Sequence, residues 1–167
     1  YRVILDEVDG HIYFDGRDFI ATDAEARIGK NSASGSYTHD ITNQQFRFLL
    51  NGQLDPPDIK GWFREWWPNF WSSFDFSAGA PLAEVDVQGR WRQGPETSVF
   101  VYADGYSPVI KGVPLKRVTT RIFVRPHYYD ALDLLAVGQA GSARGTFLRQ
   151  HIPYTTQLNS MEFAFTS

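Results

Sequence analysis

Two stretches of this sequence match each other without a gap when the chain is shifted by 110 positions. Residues 5–37 then align with residues 115–147, and nine of the 33 aligned positions are identical. The identities include Asp23 with Asp133, which a shared alternation of apolar residues does not explain. An internal repeat constrains the fold strongly, because a repeated unit with one apolar face buries that face by stacking against its neighbours.

The pattern within each repeated stretch is that of short β-strands. Runs of four to nine residues alternate between apolar and polar, and turn signals such as Asp9-Gly10, Asp15-Gly16 and Asn51-Gly52 separate them at intervals of about ten residues. This predicts a mainly β fold of antiparallel meander sheets in two related units, residues 1–54 and 77–167. The two units form one compact domain or a fragment of a longer repeat array.

The stretch between the units, residues 55–76, has a different pattern and holds four of the five Trp residues. Asp55 suits a helix N-cap, and the apolar residues that follow have helical spacing. We therefore predict an aromatic amphipathic helix over 55–76 that packs on the sheet and is kinked or divided at Pro68. The apolar stripe consists of Ile59, Trp62, Phe63, Trp66, Trp67, Phe70 and Trp71.

The aromatic stripe of this predicted helix has two interpretations. It packs on the sheet as core, because each aromatic side chain buries a large apolar area. Alternatively, part of it faces a bilayer or lines a lipid-binding groove. An interfacial helix usually has a polar face rich in Lys and Arg, whereas this one offers Lys60 and Arg64 against Asp58 and Glu65. The charge balance favours the core interpretation.

Composition excludes several classes of function. The net charge is −3 and the basic residues are scattered, which does not favour a nucleic-acid partner. The absence of Cys excludes disulfides, thiolate metal sites and Cys nucleophiles. The sequence contains no run of about 18 apolar residues, so no membrane-spanning helix is predicted. The sequence begins within a strand pattern at Tyr1, so we expect a piece of a longer protein whose anchor or targeting signal lies elsewhere.

The candidate catalytic groups do not form a recognisable site. The four His residues lie far apart in sequence, so no metal site is predicted. Asp23 with Glu25, and Glu84 with Asp86, form i, i+2 pairs on one strand face, but nothing places a second pair opposite them. We therefore predict a protein that is not an enzyme and has no cofactor. A hydrolase that uses these carboxylates is kept as an alternative.

The order of strand motifs around the repeat resembles that of the AsmA-like proteins of Gram-negative envelopes, the group that includes TamB. The resemblance covers nearly the whole chain, although its motifs are mostly alternation and glycine turns. The motifs are Val8–Phe14 with Ala21–Ala24 and Gly35–Tyr37, then Phe46–Pro56 as a strand leading into a helix, then Phe74–Phe76 and Val85–Trp91 as the restart of the next unit.

The resemblance implies a long, taco-shaped β-sheet whose concave apolar face shields lipid acyl chains. It also implies a periplasmic location, with the parent protein anchored in the inner membrane. The expected function is lipid transport or outer-membrane assembly, and the expected partners are phospholipid acyl chains and flanking repeats of the same parent chain. The candidate groove or core residues are Ile12, Phe14, Phe46, Phe48, Ile122 and Val124, together with Trp62, Phe63, Trp66, Trp67, Phe70 and Trp71 of the predicted helix.

A second hypothesis concerns the same aromatic residues. In a β-sandwich binding module, exposed Trp and Tyr side chains stack on sugar rings. Bound lipid or bound oligosaccharide would separate the two hypotheses.

Overall fold

A computed structural model describes residues 5–58, 68, 71–150 and 158–167 of the chain. This part of the chain consists of strands in one ten-stranded and one three-stranded sheet, which confirms the prediction of a mainly β, antiparallel fold. The strands are β1 (Glu7–Phe14), β2 (Asp18–Ile28), β3 (Asn31–Asp40), β4 (Gln45–Gln53), β5 (Phe74–Asp75), β6 (Leu82–Arg90), β7 (Gln93–Tyr106), β8 (Val109–Ile110), β9 (Val113–Pro114), β10 (Arg117–Arg125), β11 (Tyr128–Val137), β12 (Ser142–Gln150) and β13 (Leu158–Thr166).

The ten-stranded sheet is an open antiparallel meander. Its spatial order is β1-β2-β3-β4-β6-β7-β10-β11-β12-β13, so the strands follow one another across the sheet as they do along the chain. The three short strands β5, β8 and β9 form the small second sheet. The two predicted units therefore share one sheet, in which β4 pairs directly with β6.

The register of β1–β4 recurs in β10–β13. Ile12 lies opposite Ala21, and 110 positions later Ile122 lies opposite Ala131. The pairing with the next strand then shifts at a β-bulge directly after Ala21 in β2, and again directly after Ala131 in β11. Because a bulge fixes the position of a strand relative to its neighbour, this agreement extends the sequence repeat to backbone geometry.

Two glycines show the same correspondence at close range. A Cβ atom on Gly35 would overlap the carbonyl oxygen of Leu49, and a Cβ atom on Gly145 would overlap the carbonyl oxygen of Glu162. Gly35 and Gly145 are one of the identical pairs of the repeat. Glycine is needed at both positions because the neighbouring backbone occupies the space that any side chain would need.

The helix predicted over residues 55–76 is wrong at both ends. At its start, the Asp58 N–H donates a hydrogen bond to the Asp55 carbonyl over 3.0 Å, within a turn. At its end, Phe74–Asp75 is strand β5, which pairs with Val109–Ile110 of β8. The helix predicted from the spacing of the aromatic residues does not extend to residues 74–75, because their backbone pairs with a distant strand.

The middle of this stretch is described at two positions, Pro68 and Trp71. Both have helical backbone, and the Ser72 N–H donates to the Pro68 carbonyl over 2.9 Å. The described part of the chain contains no other helical segment. It also contains no helix that is long and apolar enough to cross a membrane. The remaining positions of the predicted helix, 59–67 and 69–70, lie outside the described residues.

Several buried residues lie where the segment after β4 and the small sheet meet the large sheet, whereas Ala131, which is 1% exposed, lies opposite Ile122 within the large sheet. Leu54 is buried, and its N–H donates to the Pro81 carbonyl over 3.2 Å. Pro108, which precedes β8, is fully buried. The Phe76 ring lies over Gly105 of β7, where an added Cβ atom would contact it at 3.4 Å. One end of the large sheet is thus covered, and this covered end holds most of the packed core.

Candidate functional site

One face of the ten-stranded sheet is mainly apolar. Residues directly opposite each other on paired strands share a face, so the register defines it. We call it the apolar face and the opposite one the polar face. One row across the apolar face consists of Ile12, Ala21, Tyr37, Phe48, Val87, Val99, Val124 and Tyr129, and it ends on the last two strands with Arg149 and Asn159. The next row consists of Ala24, Gly35, Leu50, Val85, Val101, Ile122, Ala131, Phe147 and Met161.

The structure places six of the sequence-predicted candidates together on the apolar face. They come from alternate positions of β1, β4 and β10. Trp62, Phe63, Trp66, Trp67 and Phe70 lie outside the described residues. The six candidates are Ile12, Phe14, Phe46, Phe48, Ile122 and Val124.

Exposure on the apolar face rises towards the two edge strands. In β4 the even-numbered residues from Phe46 to Gly52 are half-buried, whereas the odd-numbered residues on the polar face are exposed. At the edges, Ile12 of β1 is 70% exposed and Met161 of β13 is 68% exposed. Large apolar side chains therefore meet solvent at both edges of the face.

The apolar face is large for a soluble protein. Ten strands spaced about 4.8 Å apart, each about nine residues long, give a face roughly 40 Å wide and 30 Å long. Monomeric soluble proteins rarely expose a contiguous apolar patch of more than a few hundred Å². A face of this size needs cover from the chain itself, a partner or a ligand.

An aromatic cluster lies at the open end of the apolar face. The rings of Phe46 and Trp91 have centroids 4.9 Å apart, and the Trp91 Nε1–H donates to the Tyr37 hydroxyl over 3.2 Å. Tyr37 also makes edge contacts with Phe19 and Phe48. Trp91 was not among the predicted site residues, although it ends the alternating pattern of β6 and is 48% exposed.

A second aromatic cluster lies at the covered end. The Trp71 ring is 4.9 Å from the Phe74 ring and 6.0 Å from the Phe76 ring, measured between centroids. Phe76 in turn contacts the sheet over Gly105. Trp71, a candidate from the predicted helix, therefore belongs to the packing at this end of the sheet.

Polar contacts hold the segment after β4 against the sheet at the covered end. The side chain of Asn31 is buried; its Nδ2 donates to the Asp58 carboxylate over 2.6 Å and its Oδ1 accepts from the Asp55 N–H over 3.0 Å. Burial raises the pKa of Asp55, and the negative charges of Asp58 and Asp75 raise it further. These bonds satisfy a buried amide that would otherwise be costly.

The polar face carries ion pairs between neighbouring strands. Arg47 donates two hydrogen bonds to Asp86, at 3.0 and 2.8 Å, and Arg117 donates two to Asp104, at 2.9 and 2.6 Å. The hydrogen bonds from Arg117 lower the pKa of the Asp104 carboxyl, against the opposing effect of its burial. These bidentate pairs fix strand register and give this face a water-compatible surface.

The carboxylate pairs considered as catalytic do not form an opposed constellation. Asp86 is engaged by Arg47. Asp23 lies in the bulge of β2 with a φ of 50°, which interrupts the alternation that would place it beside Glu25. In the described ranges, no group of three or more His, Asp or Glu could hold a metal ion.

The polar face also has a shallow depression of about 610 Å³. Its lining carries both signs of charge, including Arg47, Arg90, Arg125, Asp40 and Glu96. Arg90 and Glu96 approach each other to 3.8 Å, and Arg47 is already paired. The mixed charges favour water rather than an apolar ligand.

Comparison with known proteins finds no family model that matches the chain, and no match among curated proteins or solved structures.

Proposed function

We propose that this chain is a non-enzymatic domain of the AsmA-like type, which shields lipid acyl chains on the apolar face of its sheet. Its role would be lipid transport or outer-membrane assembly, with the periplasm and cell envelope as its location. Phospholipid acyl chains are the proposed ligand, and flanking repeats of the same kind would extend the sheet. The resemblance of the strand motifs to AsmA-like proteins supports the location and the role.

The observation that carries the proposal is the mainly apolar face of the ten-stranded sheet. Its row through Ile122 carries no charged side chain from Ala24 to Met161, and its row through Phe48 carries none from Ile12 to Tyr129, while charged pairs such as Arg47 with Asp86 lie on the other face. An acyl chain offers no hydrogen bonds, so it needs a surface with few polar groups and a large contact area. The apolar face has both properties.

Photo-crosslinking from neighbouring positions of one strand tests the proposal. Phe48 and Leu49 are adjacent in β4, and their side chains lie on opposite faces of the sheet. Strand β4 pairs with β3 on one side and with β6 on the other. We would replace each in turn with benzoylphenylalanine and illuminate the protein with vesicles of phosphatidylethanolamine and phosphatidylglycerol. We expect lipid adducts in mass spectrometry from position 48 and few from position 49.

A second matched pair repeats the test in the other half of the sheet. Ile122 and Phe123 of β10 face the apolar and polar sides, and both are half-buried. Adducts from 48 and 122 but not from 49 and 123 would support lipid binding by the apolar face. Equal yields from both faces, or no lipid adduct at any position, would refute the proposal.

Sugar binding is the second candidate, because Trp91 is 48% exposed at the open end of the sheet. An exposed indole can stack on a sugar ring by its apolar surface. The predicted β-sandwich form of this candidate does not match, since the ten long strands form a single open sheet in the described part of the chain. Quenching of Trp fluorescence by oligosaccharides, lost in Trp91→Ala, together with an absence of bound lipid, would favour this candidate.

A further inference from the structure

The depression on the polar face separates charges of opposite sign. It has a volume of about 610 Å³ and extends from β2 across the sheet to β10. Asp18 and Asp40 line its acidic side, and Arg90 and Arg125 line its basic side. These four side chains come from different strands, so the fold brings them together around one volume.

The acidic side has more carboxylates than cations to balance them. Asp18 lies directly opposite Asp40, and like charges in this arrangement destabilise a sheet. Arg17 approaches Asp40 to 3.3 Å, whereas the carboxylate of Asp18 forms no hydrogen bond or ion pair with a described residue. Hydrogen bonds from Asn43 lower the pKa of Asp40 to about 2, so this carboxyl is ionised at neutral pH. One negative charge is therefore left without a partner.

The internal repeat shows that the fold does not need this pair of carboxylates. Under the shift of 110 positions, Asp18 opposite Asp40 corresponds to Tyr128 opposite Gln150. The second unit keeps the register but places no charge at either position. The repulsion at the acidic side is thus particular to the depression, and a bound cation would relieve it.

The basic side holds a buried donor without an acceptor. The Nε atom of Arg90 is buried and has no hydrogen-bond partner among the described residues, because the nearest carboxylate oxygen, on Glu96, is 3.8 Å away. A buried polar group in this state is costly. The guanidinium of Arg125 lies 5.0 Å above the Phe123 ring and forms no ion pair with a described residue. Both guanidinium groups could bind an oxyanion at this side.

The register sets the distance between the two sides. Asp40, Gln45 and Arg90 lie in one row across three neighbouring strands, so the Cα atoms of Asp40 and Arg90 are about 10 Å apart. Strand side chains stand roughly perpendicular to the sheet, which keeps their charged ends at a similar spacing. A charge-assisted hydrogen bond of about 2.8 Å at each side leaves about 4 Å between the charged groups of a ligand. A two-carbon linker between an ammonium and an oxyanion spans this distance.

We propose that this depression binds a small zwitterion, whose oxyanion accepts hydrogen bonds from Arg90 and Arg125 and whose ammonium pairs with Asp18 and Asp40. This inference goes beyond lipid binding by the apolar face and does not depend on it. Arg47, which also lines the depression, is already neutralised by Asp86 through two hydrogen bonds.

The charge of the basic side narrows the oxyanion. Arg90 and Arg125 face the single carboxylate of Glu96 there, so one positive charge remains to be balanced. A carboxylate and a phosphodiester each carry one negative charge, and the planar guanidinium of Arg suits both. The ligand is therefore a free amino acid with a two-carbon spacing, or the amine-bearing head group of a phosphodiester lipid.

Nuclear magnetic resonance titration of the isotope-labelled protein tests the site with β-alanine. The Nε–H signal of Arg90, identified by its loss in Arg90→Lys, reports directly on the unpaired donor. We expect β-alanine to shift this signal saturably. Propionate lacks the ammonium and ethylamine lacks the carboxylate, so both should bind several-fold more weakly.

Three variants assign the two sides of the site. Arg125→Gln should weaken the binding of β-alanine and of propionate, whereas Asp18→Asn should weaken the binding of β-alanine alone. Arg121→Gln is the matched control, because Arg121 also lies on the polar face of β10 above an aromatic ring, 5.9 Å from Tyr102, but does not line the depression. It changes the net charge by the same amount and should leave binding unaltered.

Glycerophosphoethanolamine, a head group without acyl chains, separates the two sources of the ligand. Tighter binding of this compound than of β-alanine would assign the site to a lipid head group, and the reverse would assign it to a free amino acid; both results support a zwitterion site.

Three results would overturn the proposal. They are the absence of a saturable shift with either zwitterion, binding of propionate or ethylamine as tight as that of β-alanine, and equal weakening by Arg121→Gln and Arg125→Gln. No probe carries an acyl chain, so these failures leave lipid binding by the apolar face untouched and are distinguishable from its failure.

Discussion

Replacement of Gly35 by Ala tests the close approach of β3 and β4. A Cβ atom at this position would overlap the Leu49 carbonyl oxygen, and it would lie 2.9 Å from the Leu49 carbonyl carbon and 3.2 Å from the Leu50 Cα atom. All three are backbone atoms in the middle of a paired strand, so they cannot move as a flexible side chain would. The strand pair has to separate locally to accept a methyl group.

The expected cost follows from the behaviour of overpacked sites. Insertion of one methyl group into a packed site costs typically about 1–3 kcal/mol. At Gly94 nothing lies within 4 Å of an added Cβ atom, and its φ is not in the left-handed region. Gly94→Ala should therefore be neutral or stabilise by about 0.4–1 kcal/mol, because Ala restricts the unfolded chain. We expect a difference of roughly 1–4 kcal/mol between the two variants.

Urea denaturation followed by circular dichroism measures this difference, with Gly94→Ala as the matched control. In thermal unfolding of a chain of this length, 1 kcal/mol corresponds to about 2–4 °C in Tm. Gly35→Ala should therefore lower Tm by about 4–8 °C if it costs about 2 kcal/mol. Gly145→Ala should behave like Gly35→Ala, because its Cβ atom would overlap the Glu162 carbonyl oxygen in the same way.

Two results would refute this reasoning. If Gly35→Ala is as stable as Gly94→Ala, the close approach of β3 and β4 does not exist as described. If Gly35→Ala is costly but Gly145→Ala is not, the geometry of the two halves differs at the point where the register predicts that they agree.

Two further variants probe the polar contacts. Asn31→Ala removes the amide that bonds to the Asp58 carboxylate and to the Asp55 N–H, so we expect a loss of about 1–3 kcal/mol in urea denaturation; an unchanged midpoint would show that this bridge does not hold the segment. Asp104→Asn should destabilise the protein at pH 7, because it weakens the pairing with Arg117. The folded pKa of Asp104 is lowered from 3.8, so its contribution is complete above that pH and declines as the pH falls through the lower folded value. The stability difference between wild type and Asp104→Asn should therefore narrow below about pH 4, and a difference that widens there would contradict the pairing.

Much of the large sheet follows from local patterns. Strands alternate with a period of two, so the spacing of Ala33, Gly35 and Tyr37 was enough to predict β3. Turn signals such as Asp15-Gly16 mark hairpins between strands that are neighbours in both sequence and space. In a meander, pairing partners are adjacent in the chain, and the spatial order needs little information beyond the strand positions.

The small sheet could not be predicted in this way. Phe74–Asp75 pairs with Val109–Ile110, and each strand has only two residues. Two residues carry no detectable period, and the apolar residues before them continued a helical spacing. The pairing depends on tertiary packing around Pro108 and Phe76, which no local signal reports.

The apolar face was predicted in part. Ile12, Phe48 and Ile122 lie on the same face of the sheet, and alternation alone assigns each strand residue to one of two faces. Trp91 was missed because its contact with Tyr37 reaches from the end of β6 across β4 to β3, and Asp104 was missed because its partner Arg117 is fixed by the register of β7 and β10. Contacts between strands depend on register, and alternation does not determine it.

The meander topology has a consequence for how the chain folds. Seven of the nine pairings in the large sheet join strands that follow one another directly along the chain. The other two, β4 with β6 and β7 with β10, close longer segments, although each doubling of loop length costs only about 0.6 kcal/mol. Two four-stranded meanders and the β6–β7 hairpin can therefore form quickly and then join at these two seams. Until the first seam closes, β4 would present an unpaired apolar edge to the cell, and folding would be most vulnerable to aggregation at that stage.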